Sequence, residues 1–365
     1  MSVRIYARKY YVFLPDYVRW SLTPAAAVRD GSPTHVFFLF TDHFEPDYDL
    51  QRTITWGTRY AELAKRHRDS TGRPPQHSWF YPGEQLDDNI LTELRRWSLA
   101  GLGEVELHHH HDYDTEETLG RSLRESIATF QKFGFLRTIR GDTQFAFVHG
   151  NAGLDNSGGP QMCGVNTEIR LLRSLGCFAD FTFPSIYEDA QPGFVNSIYA
   201  VKDDERPKSY GKVRLPVSDV GAGRADLVIF EGPLVFGFSK NPRHLGVQLD
   251  DGDIHAAVPA SPARADRWVR ANVHVPQRPD WVFVKLFGHT ASNDDEVEAG
   301  VGDAFDRTLT YLESKYNDGH RYVLHYVTAR EAYNLVRAAA DGASGDPQQY
   351  YDYIVPPYVA SASRR

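Results

Sequence analysis

Residues 36–46 read VFFLFTDHFEP. The first five are apolar without interruption, which is the pattern of a strand buried on both faces of a parallel sheet. Polar residues follow directly, so the strand ends in Asp42, His43 and Glu45. The stretch therefore predicts a buried parallel strand with chemically reactive side chains at its carboxyl end.

Outward from this strand, helical and strand patterns alternate along the chain. Helices are predicted at residues 55–67, 87–100, 115–133 and 166–175, and strands at 78–81, 104–107, 144–148 and 179–183. The alternation returns late, with strands at 281–286 and 322–325 and helices at 294–316 and 328–340. Such regularity favours right-handed crossovers between parallel strands. We therefore predict an α/β fold, a distorted (β/α) barrel of about seven parallel strands.

The domain organisation is predicted to be a single barrel with appendages. An N-terminal arm (1–34) precedes the barrel (35–340), and a Tyr- and Pro-rich tail (341–365) follows it. Between residues 187 and 279 the rhythm weakens around a predicted strand at 226–230 and a further candidate at 233–238. We interpret this region as an insertion that carries one or two core strands. Barrels of this class often reach 365 residues with one core.

Composition and charge exclude several classes of protein. The chain is 41% hydrophobic and 24% charged, as in an ordinary globular protein. Its net charge is −8, and no block of like charges forms a patch for nucleic acid or anionic lipid. Residues 1–22 never form the apolar segment of a signal peptide or a membrane span. We expect a cytoplasmic protein without nucleic-acid partners or a membrane span, and its oligomeric state stays open.

Metal-binding potential is concentrated in histidine rather than cysteine. Cys163 and Cys177 are the only cysteines, which excludes a four-thiolate zinc site, and we expect both to be small core residues. The chain has 15 histidines, four of them consecutive at residues 108–111. If Val105 faces the helices, strand alternation turns His108 and His110 toward the barrel axis. The alternative is a solvated loop that happens to be rich in histidine.

An oxygen ligand is available on the first strand. A catalytic zinc ion takes about three protein ligands and keeps one position open for water. Asp42 can supply the oxygen, although an isolated Asp after a strand is more often a turn former or helix cap. The histidines on another strand end make Asp42 a candidate ligand of a divalent ion, with zinc as the expected metal.

Two segments resemble motifs of the polysaccharide deacetylase (NodB-homology) superfamily. LFTD at 39–42 is similar to the first motif, which carries a base and a metal Asp, and EVELH at 104–108 is similar to the second. The resemblance implies a barrel of the glycoside hydrolase/deacetylase type, with Asp42 and His108 as metal ligands. The family's second metal His falls on Asp112, with His110 or His111 as alternatives.

The resemblance also implies roles for other residues. The family's base position falls on Thr41, which cannot take up a proton near neutral pH, so Glu45 or His43 would replace it. VKLFGH at 284–289 is similar to the segment that carries the general acid, which makes His289 the candidate. Further candidates line a substrate wall: His149, Asn151 and, in an aromatic run that could equally be core, Trp79, Phe80 and Tyr81.

The resemblance predicts hydrolytic removal of an acyl group, expected to be N-acetyl, from a saccharide. The ion would polarise the amide carbonyl and activate water, and His289 would protonate the leaving amine. One alternative is a metal-dependent glycoside hydrolase that uses carboxylates among Glu45, Glu84 and Asp112. The other is a non-catalytic member that binds a glycan or a partner enzyme.

Overall fold

The computed structural model describes residues 10–23, 31–239 and 246–359. Parts of the predicted arm, 1–9 and 24–30, and of the predicted tail, 360–365, lie outside the described residues. The strands are β1 Thr34–His43, β2 His77–Pro82, β3 Gly103–His109, β4 Phe145–His149, β5 Cys177–Asp180, β6 Ser197–Val201, β7 Leu227–Glu231, β8 Val235–Ser239, β9 Gly246–Asp250, β10 Asp253–Ile254, β11 Trp281–Gly288 and β12 Tyr322–Tyr326.

The helices alternate with these strands in the predicted order. They are α1 Leu14–Leu22, α2 Leu50–Arg66, α3 Asp88–Leu99, α4 Glu116–Lys132, α5 Glu168–Ser174, α6 Ser218–Gly221, α7 Pro262–Arg270, α8 Asp294–Val301, α9 Asp303–Lys315 and α10 Ala329–Ala340. Side-chain caps fix several starts, and both α4 and α10 begin with a capping box on a threonine, Thr115 and Thr328. In the described part of the chain, no helix is long and apolar enough to span a membrane.

Ten strands form one largely parallel sheet, which confirms the α/β class. The order is β10-β11-β1-β2-β3-β4-β5-β7-β6, and β12 pairs with β1. Among the described strands of this sheet, β6 alone is antiparallel to its neighbour, so nine parallel strands replace the predicted seven or so. The hydrogen-bonded path through the described residues ends at β6 and β10, so a closed barrel is not seen. The sheet nevertheless curls, because Phe230 on β7 meets Phe283 on β11 with ring centroids 6.4 Å apart.

Strand alternation divides the core into two layers. Val36, Phe38 and Phe40 on β1 pack in an outer core with residues of α2, α3 and α4. Phe37 and Leu39 point the other way, into an inner core shared with β11 and α10. Val105 and Leu107 on β3 belong to the outer core, so the predicted facing of that strand is confirmed. A strand buried on both faces has to be apolar throughout, as the sequence of β1 is.

Both strands predicted in the insertion are present. The strand at 226–230 is β7 of the main sheet, and the candidate at 233–238 is β8, which pairs with β9 in a separate two-stranded sheet. The predicted helix at 294–316 is two helices, α8 and α9, that meet at Gly302 in extended conformation. The tail is part of the fold, since Arg330 donates to the carbonyl of Val355 and Tyr358 donates to Glu106.

Candidate metal centres

The carboxyl ends of four parallel strands bring the predicted polar residues together. β1 and β11 pair so that Asp42 lies beside Gly288, which sets the following residues, His43 and His289, at one level. β3 and β4 pair so that His109 lies beside His149. The chain ends of parallel strands therefore assemble histidines that are far apart in sequence, as the strand pattern predicts.

The first cluster consists of His43, Glu45 and His108, whose candidate ligand atoms all lie within 4.8 Å of one another. Nε2 of His108 is 2.6 Å from Oε1 of Glu45, and the rings of His43 and His108 have centroids 4.9 Å apart. Both histidines are buried, whereas the Glu45 side chain is 20% exposed. The cluster can offer two imidazoles and one carboxylate to a divalent ion.

The hydrogen bonds of His108 decide which of its nitrogens faces the cluster. Nδ1 lies 3.1 Å from the carbonyl oxygen of Val148, which can only accept, so Nδ1 carries the proton. In the neutral ring Nε2 then presents a lone pair to the Glu45 carboxylate, and burial lowers the pKa of His108 despite that carboxylate. Two acceptors at 2.6 Å require a proton or a cation between them. A histidine that donates to a backbone carbonyl from its other nitrogen is the usual arrangement of a metal ligand.

Other polar side chains surround the first cluster. His110 lies with Nδ1 2.6 Å from Oε1 of Glu84 and Nε2 3.4 Å from Oε1 of Glu45. The exposed ring of His289 is in edge contact with His43 at 4.7 Å between centroids. Burial and the neighbouring His289 and His108 hold the pKa of His43 well below its usual range. His43 is therefore neutral near pH 7 and has a lone pair available for a ligand.

The second cluster consists of His111, His149, Cys163 and Glu168, again with candidate ligand atoms within 4.8 Å of one another. Oε1 of Glu168 lies 3.1 Å from Nε2 of His111 and 3.7 Å from Nε2 of His149, and Oε2 lies 3.4 Å from the Cys163 sulfur. Burial alone would raise the pKa of Glu168, but His149 and His111 outweigh it and hold the value at about 2. A buried group able to hold a metal ion is therefore present.

The two clusters lie on opposite faces of the sheet end. His108 and Val148 share the inner face with the first cluster, whereas His149 follows Phe147 of the outer core by two residues. His111 lies two residues beyond the end of β3 and has the same parity as Val105 and Leu107, which face the outer core. Its ring packs on His149 with centroids 4.5 Å apart.

The structure does not bring Asp42 into either cluster. Its carboxylate accepts hydrogen bonds from the amide and hydroxyl of Thr290 and from Nε2 of His77, and it is fully buried on the outer face of β1. Asp42 and His43 are adjacent on a strand, so they cannot both face the inner side. The structure gives the inner position to His43, and Glu45 rather than Asp42 meets His108.

The other predicted site residues fall in different places. Thr41 is buried on the inner face and donates to the carbonyl of Leu286. Asp112 is exposed and belongs to neither cluster of the described residues. Tyr81 does not line the inner face, because its ring packs in the outer core and its hydroxyl donates to the carbonyl of Gln85. Asn151 lies beside the second cluster and donates to the carbonyl of His111.

Two residues of the second cluster were not singled out from the sequence. Cys163 is buried, as predicted for a core residue, but its sulfur faces Glu168. Glu168 occupies the first turn of α5, where an acidic residue is ordinarily a helix-dipole partner. The five-residue spacing between them was the one local signal, and it carries little information without the loop path between β4 and α5.

A comparison with protein-family models found no match, and no curated protein matches the chain significantly.

Proposed function

We propose that this protein is a metal-dependent hydrolase whose first cluster binds a divalent ion, with zinc as the expected metal. The observation that carries the proposal is the contact of His108 Nε2 with Glu45 Oε1, two acceptors 2.6 Å apart. They stand at the carboxyl ends of parallel strands, the edge that carries the active site in β/α barrels. A cation between them would satisfy both acceptors at once.

The geometry suits zinc with a small adjustment. Tetrahedral ligands at about 2.0–2.1 Å from zinc lie about 3.3 Å from one another. The His108–Glu45 contact therefore has to open by about 0.7 Å. His108 is held by Val148, but the Glu45 side chain is partly exposed and can withdraw. With His43 as third ligand, one tetrahedral position stays open to water or substrate, as catalysis requires.

The residues around the cluster supply the remaining chemistry. A divalent ion held there would contribute Lewis acidity toward a carbonyl oxygen and toward water. Glu84 contacts Nδ1 of His110 and orients the ring. Nε2 of His110 is then turned toward Glu45 and can take up a proton. His289 is exposed at the rim beside His43, where it can reach a leaving group that enters from solvent. These groups suffice for general acid and base steps on either side of a bound carbonyl.

The substrate that we propose is an acylated saccharide, and the acyl group removed by hydrolysis is expected to be N-acetyl. This part of the proposal depends on the resemblance of residues 39–42 and 104–108 to the deacetylase motifs. The position of His289, near the first cluster, supports it, because the same resemblance assigns His289 as the acid. The Asp42 assignment from that resemblance finds no support in the geometry, so Glu45 replaces it as the oxygen ligand.

The test is metal content and product analysis on full-length, untagged protein. His108→Ala should lose one zinc ion per chain, and His325→Ala is the matched control, since His325 is also buried but contacts His35 and Tyr351 instead. The zinc-loaded native chain should release acetate from N-acetylated oligosaccharides, and His108→Ala should not.

Two results would contradict the proposal. Full zinc occupancy in His108→Ala would place the ion elsewhere. New reducing ends without acetate would indicate the glycoside hydrolase alternative, and zinc binding without turnover on any acetylated glycan would indicate a binding protein.

A further inference from the structure

We infer that the second cluster is a separate, closed metal site, in which His111, His149, Cys163 and Glu168 hold a divalent ion of the zinc type that ties the loop between β4 and α5 to the end of the sheet. The inference does not depend on the proposed function. It concerns the outer face of the sheet end, whereas the hydrolytic cluster lies on the inner face.

The four candidate ligands come from separate parts of the chain. His111 follows β3, His149 ends β4, Cys163 lies in the loop after β4, and Glu168 begins α5. Their exposed fractions are 8%, 1%, 0% and 0%, in that order. The loop that joins β4 to α5 has little regular structure apart from a short 3-10 turn at Leu154–Asn156. Four ligands that converge from such different segments make a crosslink, which a loop of this kind needs if it is to stay fixed.

Charge balance in the buried site favours a divalent cation. Two neutral imidazoles, one thiolate and one carboxylate carry a total charge of −2, so a divalent ion makes the site neutral. That matters because an uncompensated charge is costly where water is excluded. On binding, the Cys163 thiol loses its proton to solvent as the metal–sulfur bond forms, and Glu168 gives up its contacts with His111 and Cys163 for the ion. The proton on Nε2 of His111 moves to Nδ1, which faces Asp114, so the ring stays neutral and Nε2 is free to bind the ion.

One buried nitrogen also points to a missing partner. Within the described residues, Nε2 of His149 makes no hydrogen bond. The amide of Asn151 donates to Nδ1 of His149 at 3.2 Å, so in the ion-free ring the proton sits on Nε2. Ligation through Nε2 moves that proton to Nδ1 and exchanges the long Asn151 contact for a metal–nitrogen bond. An unpaired polar group in a fully buried site is uncommon, and an ion accounts for it.

The residues behind the cluster match the outer shell of a metal site. Oδ2 of Asp114 lies 3.3 Å from Nδ1 of His111, as in carboxylate–histidine–metal arrangements. The amide of Asp155 donates to Oε2 of Glu168 at 2.6 Å and holds that carboxylate in place. Asp114 and Asp155 therefore orient one ligand each without joining the cluster.

The ligand set distinguishes this site from the first. Four protein ligands fill a tetrahedron and leave no position for water, which is the form of a structural zinc site. Sulfur selects zinc, cobalt or cadmium over magnesium and calcium, which prefer oxygen. The site is thus expected to stabilise the fold and to take no part in turnover.

The experiment uses Co²⁺ as the probe on full-length protein freed of metal by a chelator. A thiolate ligand gives cobalt a sulfur-to-metal charge-transfer absorption, which a site of nitrogen and oxygen ligands lacks. The band should appear in the native chain and disappear in Cys163→Ser. Cys177→Ala is the matched control, because Cys177 is the other buried cysteine and lies on β5 outside the cluster.

Zinc counts then separate this site from the hydrolytic one. The native chain should hold two ions, Cys163→Ser and His108→Ala one each, and the double variant none. Zinc should raise the melting temperature of the metal-free native chain and of His108→Ala by more than it raises that of Cys163→Ser. Asp114→Asn, a milder change, should weaken zinc at this site by about tenfold or more while the band remains.

Two results would overturn the inference: no charge-transfer band in the native chain with Co²⁺, or a band that persists in Cys163→Ser. If the native chain shows the sulfur band but holds no ion that His108→Ala removes, the result contradicts the hydrolase proposal and supports the closed site.

Discussion

The carboxylate of Asp42 accepts the backbone amide of Thr290 at 3.0 Å and also the hydroxyl of that residue. Thr290 in turn accepts the indole N–H of Trp56 at 2.8 Å, and His77 donates to the same carboxylate. This network joins β1, β2 and α2 to the segment that follows β11, on the outer face of the sheet. Asp42 thus stabilises the strand ends on the outer face of the sheet and does not face the first cluster.

We predict that Asp42→Ala destabilises the fold and leaves the zinc content unchanged. The substitution leaves buried donors of Thr290 and His77 without an acceptor, which should lower the free energy of unfolding by at least about 3 kcal/mol. Denaturant unfolding and metal analysis on the same preparation would test this. A variant of native stability that had lost one ion would instead restore Asp42 as a ligand, as the motif resemblance implies.

The sequence predicted the strand ends better than the identities of the ligands. The facing of Val105 is a local pattern, and from it His108 and His110 were placed on the inner side. The motif resemblance also favoured Asp42, although Asp42 and His43 cannot share one face of a strand. In this case the strand alternation, which is a geometric rule, agrees with the structure.

The second cluster lay beyond prediction from one sequence. Alternation along β3 turns His111 away from the inner face, but Cys163 sits in a loop without periodicity. No local pattern relates such residues to Glu168 on the next helix. The break at Gly302 was also not predicted. Apolar spacing continues across Gly302, so the sequence pattern indicates one helix at 294–316 where the structure has two.

We predict that Gly150→Ala lowers hydrolytic activity by roughly a hundredfold. A Cβ at position 150 would lie 2.3 Å from Cδ2 of His110, so the ring would have to move away from Glu84 and Glu45. Gly193→Ala is the matched control, because its Cβ would meet only an ordinary contact at 3.5 Å. Turnover of the two zinc-loaded variants is the measurement, and equal rates would remove His110 from the mechanism.

We predict that His289→Ala separates turnover from metal binding. His289 is exposed beside His43 and is not among the candidate ligands, so zinc content should stay at the native level. A general acid acts when charge develops on the leaving group, so the rate should fall by roughly a hundredfold or more. His320→Ala, at another exposed histidine, should leave both quantities unchanged. Joint loss of metal and rate would make His289 a ligand instead.

We predict that His67 makes the stability of the chain depend on pH above neutrality. Its buried ring joins the end of α2 to α9, with Nε2 2.8 Å from Asp306 and Nδ1 3.1 Å from Glu313. Burial disfavours the charged ring, but the hydrogen bonds to Glu313 and Asp306 outweigh burial and raise the pKa of His67 above 6.5. A raised histidine pKa stabilises the folded state fully below the unfolded value, and that stabilisation is lost as pH rises through the folded value.

The comparison is between the native chain and His67→Gln, which keeps polar atoms at the position but does not titrate there. The free energy of unfolding of the native chain should exceed that of the variant most at about pH 6, and the excess should shrink toward about pH 9. Denaturant titrations of both proteins at several pH values give this difference directly and cancel the other titrating groups. If the difference stayed constant with pH, or grew as pH rose, His67 would be neutral in the folded protein and would hold α2 and α9 together by neutral hydrogen bonds alone.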